Sequence, residues 1–231
     1  MKRIVGGVLV VFLATTAAMA GSITETKTFS GVPTLTRILN FSQFDTMGGT
    51  RTLTSIYISF LLNVNNGSIL LDNDGVDPAS GTFEFGAEGG ISSTDVALLD
   101  GSTVPRALGE NVKAIHADTF SLDSNDGDSS STADLGGPDS MLYEGGLESM
   151  SDTGYIGSDF FAAYIGGGTF DIAVDVSQWA EFGGKSGVAM ALIPLDSTGE
   201  VKVKYNYTPE PASMILLAIG APLLFRARSK K

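Results

Sequence analysis

The sequence predicts an all-β protein, an antiparallel β-sandwich of jelly-roll-like or Ig-like type, with an N-terminal signal peptide and a C-terminal hydrophobic helix on either side. Three observations carry that reading. Residues 200–207 alternate strictly, with Val201, Val203, Tyr205 and Tyr207 on one face and Glu200, Lys202, Lys204 and Asn206 on the other. Ile56, Ile58, Phe60 and Leu62 repeat the pattern, as do Phe170, Ile172, Val174 and Val176. A period of two is the mark of a half-buried strand. Clusters of Gly, Asn, Asp and Ser lie between such segments, and no long stretch has a 3.6-residue period. Many short strands joined by turn-forming residues point to packed antiparallel sheets.

The elements follow in chain order. Lys2 and Arg3 precede an apolar run at 4–14, and Ala18-Met19-Ala20 forms an A-x-A site. This is the layout of a secretory signal peptide over 1–20, cut by signal peptidase between Ala20 and Gly21. Shorter strands are expected at 23–29, 68–71, 81–85, 118–122, 160–165 and 187–193, with a brief helical turn at 95–99. Glycine runs at 86–90 and 166–168 read as turns or bulges, because neither carries a phosphate-loop lysine or opens a helix. The β domain is expected over 21–207, and 208–231 forms a separate tail. Val201, Val203, Tyr205 and Tyr207 should face the core, leaving Thr208 as a one-residue tether.

Charge narrows the partners. The chain carries 14 Lys and Arg against 26 Asp and Glu, and no cysteine. Setting aside Lys2, Arg3, Glu210 and the four basic residues of the tail leaves 8 basic and 25 acidic residues, a net −17. Such a surface repels nucleic acid and favours divalent cations and neutral or cationic partners. Without cysteine there is no thiol nucleophile, thiolate metal site or disulfide. Residues 114–184 hold 13 acidic side chains and no Lys or Arg.

Two acidic loops have the composition of a Ca²⁺ site. Asp72, Asp74 and Asp77 surround Gly75; Asp123, Asn125, Asp126 and Asp128 surround Gly127, with Asp134 beyond. Gly75 is fourth and Gly127 fifth in its loop, whereas an EF-hand needs glycine sixth. Calcium would therefore bind in another geometry, or the loops are solvated turns. His116 is the single histidine, too little for a zinc centre, and no G-x-S-x-G elbow accompanies it. Trp179 is the single tryptophan, a candidate for stacking on a sugar but more in keeping with a core or rim position. Paired carboxylates suited to a glycosidase arise by chance in so acidic a chain.

The tail is the most specific signal. Pro209, Glu210 and Pro211 lead into an apolar run at 212–225, followed by Arg226, Arg228, Lys230 and Lys231. Fourteen residues of helix reach about 21 Å, short of the roughly 30 Å hydrocarbon core, so the run suits a transient stop better than a permanent span. The basic end stays inside while the acidic passenger lies outside.

This tail resembles the PEP-CTERM sorting signal of Gram-negative bacteria, on its motif, apolar run and basic cluster. The resemblance implies recognition by an exosortase-type membrane protease or transpeptidase, cleavage near the motif after a stay in the inner membrane, and release to the cell surface or extracellular matrix. It also implies association with extracellular polysaccharide and biofilm. The rest of the chain resembles the choice-of-anchor E domain in three pieces. These are Phe41-Ser42-Gln43-Phe44-Asp45 with Gly49 and Leu53-Thr54-Ser55-Ile56, then Tyr164-Ile165-Gly166-Gly167-Gly168-Thr169-Phe170, and last Val201-Lys202-Val203-Lys204-Tyr205-Asn206-Tyr207. That family implies a surface-displayed β domain without known catalysis. The expected function is thus a non-enzymatic exported surface protein. A calcium-dependent carbohydrate-binding module is the alternative, and a polysaccharide hydrolase comes third.

Overall fold

The computed structural model describes residues 20–127, 133, 135, 137–184 and 187–210. Eleven strands lie within them: β1 (Gly21–Gly31), β2 (Leu35–Ser42), β3 (Arg51–Asn65), β4 (Ser68–Asn73), β5 (Ala79–Ser92), β6 (Val112–Leu122), β7 (Ser140–Glu144), β8 (Glu148–Tyr155), β9 (Thr169–Gly183), β10 (Val188–Ile193) and β11 (Asp196–Pro209). Every pairing between these strands is antiparallel. The ladders run β1-β11-β3-β8, β10-β4-β7 and β2-β9-β5-β6.

The first two ladders are one layer with a crease. Asp196 pairs with Asn65 and, beyond the break, Ile193 pairs with Ser68. On the other side Glu148 pairs with Val64, and Glu144 with Ser68. Both registers resume in step, so β10–β11, β4–β3 and β7–β8 act as three long strands bent at a shared line. The local sequence explains the bend. Asn66 (φ 60°) and Gly67 (φ 73°) are left-handed, Pro194 has no N–H for a ladder, and Gly145 N–H donates across the crease to Gly67 O at 2.9 Å.

The bent layer packs on β2-β9-β5-β6. The expected alternations are seen: Ile56, Ile58, Phe60 and Leu62 of β3, Phe170, Ile172, Val174 and Val176 of β9, and Val201, Val203 and Tyr205 of β11 are all buried. Rings stack along the inner face of each layer, with Phe29 on Phe60 in one and Phe41 on Phe170 in the other. Tyr143 of β7 packs edge-on against Phe83 and Phe85 of β5. Such pairs add to the area term that dominates stability.

Several expectations are corrected. Residues 160–165 are not a strand: Ser158–Tyr164 is a 3-10 helix. Phe160, Phe161 and Tyr164 then turn toward the core with helical spacing, and the Tyr164 hydroxyl donates to Ala97 O at 2.8 Å. Residues 86–90 are no turn but lie inside β5. A β-carbon at Gly86 would collide with the Ala114 carbonyl on β6, so glycine serves close strand approach. Residues 95–99 hold no helical turn: a bend at Asp95 and Val96, organised by Ser93 Oγ accepting from both their N–H groups, leads to a bridge between Leu99 and Ala107. The strand carrying Phe170 runs on to Gly183, which places Trp179 within β9.

Candidate functional site: the motif end and the acidic loops

β11 reaches the motif through an irregularity. Its register against β3 shifts between Asn206 and Tyr207, where Thr54 Oγ1 donates to Asn206 O at 2.9 Å. Beyond the shift, Tyr207 pairs with Leu53, Thr208 with Thr52 and Pro209 with Arg51. Thr208 is therefore sheet rather than a free tether. Glu210 N–H donates to Thr50 O at 2.8 Å, and Thr52 Oγ1 donates to Glu210 Oε1 at 3.0 Å. Two motif residues are thus held by the start of β3.

The opposite junction meets it there. Gly21 opens β1 and pairs with Tyr207. A β-carbon on Gly21 would stand 2.5 Å from Tyr207 Cζ, so the ring closes over a position that only glycine fills. The same ring takes the Arg51 guanidinium at 5.1 Å and Phe44 at 5.6 Å from its centroid. Ala20 is exposed beside it. Ala18, Pro211, the run 212–225 and Arg226, Arg228, Lys230 and Lys231 lie outside the described residues.

The three segments quoted above converge on this end. Phe41 pairs with Phe170 and Ser42 with Thr169, and Phe44 bridges Ile165 in parallel. Gln43 Nε2 donates to Ala163 O at 2.9 Å, and its Oε1 accepts from Gly168 N–H at 3.2 Å. A β-carbon at Gly166 would strike that amide, which accounts for part of the glycine run. Tyr205 Oη donates to Ser42 O at 2.8 Å, tying the layers together. Burial, with the nearby Glu25 charge, pushes the Tyr205 phenol well above its ordinary range.

The two acidic loops also come together, around a residue that composition did not single out. Asn73 is buried, and its Nδ2 donates to Asp77 O at 2.9 Å and to Asp123 O at 2.6 Å. Its Oδ1 accepts from Gly75 N–H, and Asn125 N–H donates to Gly75 O at 2.9 Å. Asp139, also buried, accepts from Asp126 N–H at 2.8 Å. Asp72 is buried at the end of β4, whereas Asp77, Asp123 and Asp126 are exposed. Asp128 and Asp134 lie outside the described residues. Among the described residues, no three His, Cys, Asp or Glu side chains gather as a metal-binding group.

His116 is buried in β6 against Phe85, with Nδ1 3.6 Å from Glu148 Oε1 and no partner on Nε2. Trp179 carries the Lys113 ammonium 3.1 Å from its ring centroid and donates from Nε1 to Glu84 Oε2 at 3.3 Å. One of its faces is therefore already covered. An open groove of about 780 Å³ runs between β2, β5, β9 and the loop 93–111, with Leu35, Ile91 and Leu98 in its wall and no aromatic lining residue. Among the described residues no helix is long and apolar enough to cross a membrane.

No family model matches the chain. No curated protein matches it. Among solved structures, similarity is found to the T13 IBDV viral particle, with 12% identity over 83% of this chain and 40% of that one, at a TM-score of 0.19. The infectious bursal disease virus VP2 subviral particle has 11% identity over 90% and 48% of the two chains, at 0.17. Desmodium yellow mottle tymovirus has 8% identity over 85% and 91%, at 0.13. The chain spans less than half the length of the bursal-virus chains it matches.

Chemically, the motif end offers a docked extended peptide, and the loop end offers backbone carbonyls gathered on the Asn73 amide with the Asp139 carboxylate beside them. The Asn73 amide and the Asp139 carboxylate had no distinguishing sequence signal, because only the tertiary fold brings 72–77, 123–126 and 137–139 together.

Proposed function

We propose that this is an exported, non-enzymatic surface or extracellular-matrix protein, a β-sandwich of jelly-roll-like or Ig-like type delivered by an exosortase-type pathway. The tail carries this reading: Pro209, Glu210 and Pro211, an apolar run too short for a comfortable span, and a basic end. The signal-peptide pattern ending at Ala20 supports it. So does the geometry of the passenger, because Gly21 and Tyr207 are sheet partners and both processing points emerge at one end of the layer. Signal peptidase would act at that end first and the exosortase-type enzyme second, with the inner membrane as a transient station. Exopolysaccharide of a biofilm matrix is the polymer this setting offers. Intact-mass analysis of the surface fraction of the native host tests the reading. Chains beginning at Gly21 and ending near the motif are expected; chains ending at Lys231 in that fraction overturn it.

The convergence of the acidic loops favours a second reading, a calcium-dependent carbohydrate-binding module in the same location. Two loops 50 residues apart share the Asn73–Asp123 hydrogen bond, so an ion bound there would clamp both. A rise in the thermal midpoint with millimolar Ca²⁺ beyond that given by Na⁺ at equal ionic strength distinguishes it from screening.

A further inference from the structure

We infer that the folded domain gates its own processing: the start of β3 holds Glu210 in the sheet, and the sorting enzyme gains the motif only when the end of β11 peels away. This rests on the proposed sorting function and adds its regulation.

Three contacts build the gate. Pro209 lies in the ladder opposite Arg51, Glu210 N–H is spent on Thr50 O, and the Glu210 carboxylate accepts from Thr52 Oγ1. An enzyme that reads an extended peptide needs its backbone N–H groups and side chains free. Here the motif glutamate has its amide and one carboxylate oxygen already engaged. Sheet and enzyme therefore compete for the same groups, and the rate of cutting follows the fraction of chains whose last residues are open. Access to the bond, rather than the chemistry that breaks it, is what the sheet controls.

The gate is also tied to completion of the fold. Thr50, Arg51 and Thr52 are placed by the start of β3, where Thr52 pairs with Thr208 and Leu53 with Tyr207. Tyr207 in turn needs Gly21 beneath it and Phe44 and Arg51 beside it. Chains that have not seated β1 on β11 would expose the motif early, and fully folded chains would be cut at a rate set by local fraying. The Thr52 side chain is exposed and contributes only its hydroxyl to the clamp, so it is separable from the core and from the backbone pairing of Thr52 with Thr208.

The full chain in its native host, followed by pulse-chase, tests the gate with Thr52→Val and Thr52→Ser. Valine keeps the shape and strand preference but deletes the donor; serine keeps the donor. Loss of one solvent-exposed hydrogen bond, worth about 1 kcal/mol net, predicts shortening of the Thr52→Val chain roughly five-fold faster than wild type, with Thr52→Ser close to wild type. Equal rates for wild type and Thr52→Val overturn the gate while leaving the sorting function intact, and slower processing of Thr52→Val does the same. If no form of the chain is ever shortened, the sorting function itself falls and takes the gate with it. Hydrogen exchange on the full chain in detergent reads the clamp without the enzyme. The Glu210 amide should be protected in wild type and exchange faster in Thr52→Val; free exchange in wild type overturns the gate whatever the host shows.

Discussion

Gly67 packs against Leu195 across the crease of the long layer: a β-carbon built on Gly67 would stand 2.7 Å from that of Leu195. Gly67 is also left-handed, at φ 73°. Two separate demands for glycine therefore meet at the one point where three strands bend together.

Gly67→Ala should destabilise by more than the roughly 1–2 kcal/mol of a left-handed L-residue, because the clash adds to the backbone term. Gly48→Ala supplies the comparison: it has φ 68° and nothing within 4 Å, so the backbone term stands alone. Urea denaturation of both variants measures the difference. Equal losses would mean that the crease relaxes around the methyl group.

Val203→Asp places a charge where the residue is fully buried in β11. A loss of several kcal/mol is expected, a large part of the roughly 5–15 kcal/mol that holds a domain together. Lys202→Asp, on the opposite and partly exposed face, should stay within about 1 kcal/mol of wild type. Equal tolerance of the two substitutions in a denaturation series would contradict the burial of this strand.

Acid should loosen the loop that carries Arg106. Burial pushes the Asp152 carboxyl upward, but the Arg106 guanidinium at 2.6 Å and the Gly109 N–H outweigh it and leave the group below its ordinary value. Asp100 is lowered too, by the Ser102 hydroxyl first and then the Arg106 N–H. A carboxyl depressed in the folded state stabilises above its unfolded pKa of about 4 and loses that contribution as pH falls through the folded value. Asp152→Asn should therefore lower the thermal midpoint at pH 7 and reduce the drop seen below about pH 4. An unchanged acid limb in that variant would exclude Asp152 as a source of the dependence.

His116→Leu should leave stability level or raise it by about 1 kcal/mol, since a buried ring nitrogen without a partner is removed in favour of an apolar group. Calorimetry reads this directly. A fall of several degrees would show that the 3.6 Å approach of Nδ1 to Glu148 outweighs the orphaned Nε2.

The strands that were legible in the sequence are those with one clean buried face. In β3, β9 and β11 burial and alternation coincide, and the pattern alone locates them. β8 escaped notice because it is an edge strand whose residues are mostly exposed, so no apolar period is imposed. β2 was hidden by Arg37, an exposed charge in register with the buried Leu35 and Phe41, and by Ile38, an apolar residue on the exposed face. Residues 160–165 misled because two adjacent phenylalanines suit a strand as well as a short helix until the buried Tyr164 fixes their side. At the candidate site the motif residues were plain in sequence, but their capture by Thr50 and Thr52 depends on a pairing across more than 150 residues.

The crease carries register through, so β3 and β4 form one continuous path from Arg51 to Asn73. At about 3.3 Å per residue that path is at most roughly 75 Å long. The molecule consequently has two unlike poles. One gathers Gly21, Tyr207 and Glu210, the places where the flanking segments depart; the other gathers Asp72, Asn73, Asp123 and Asp139.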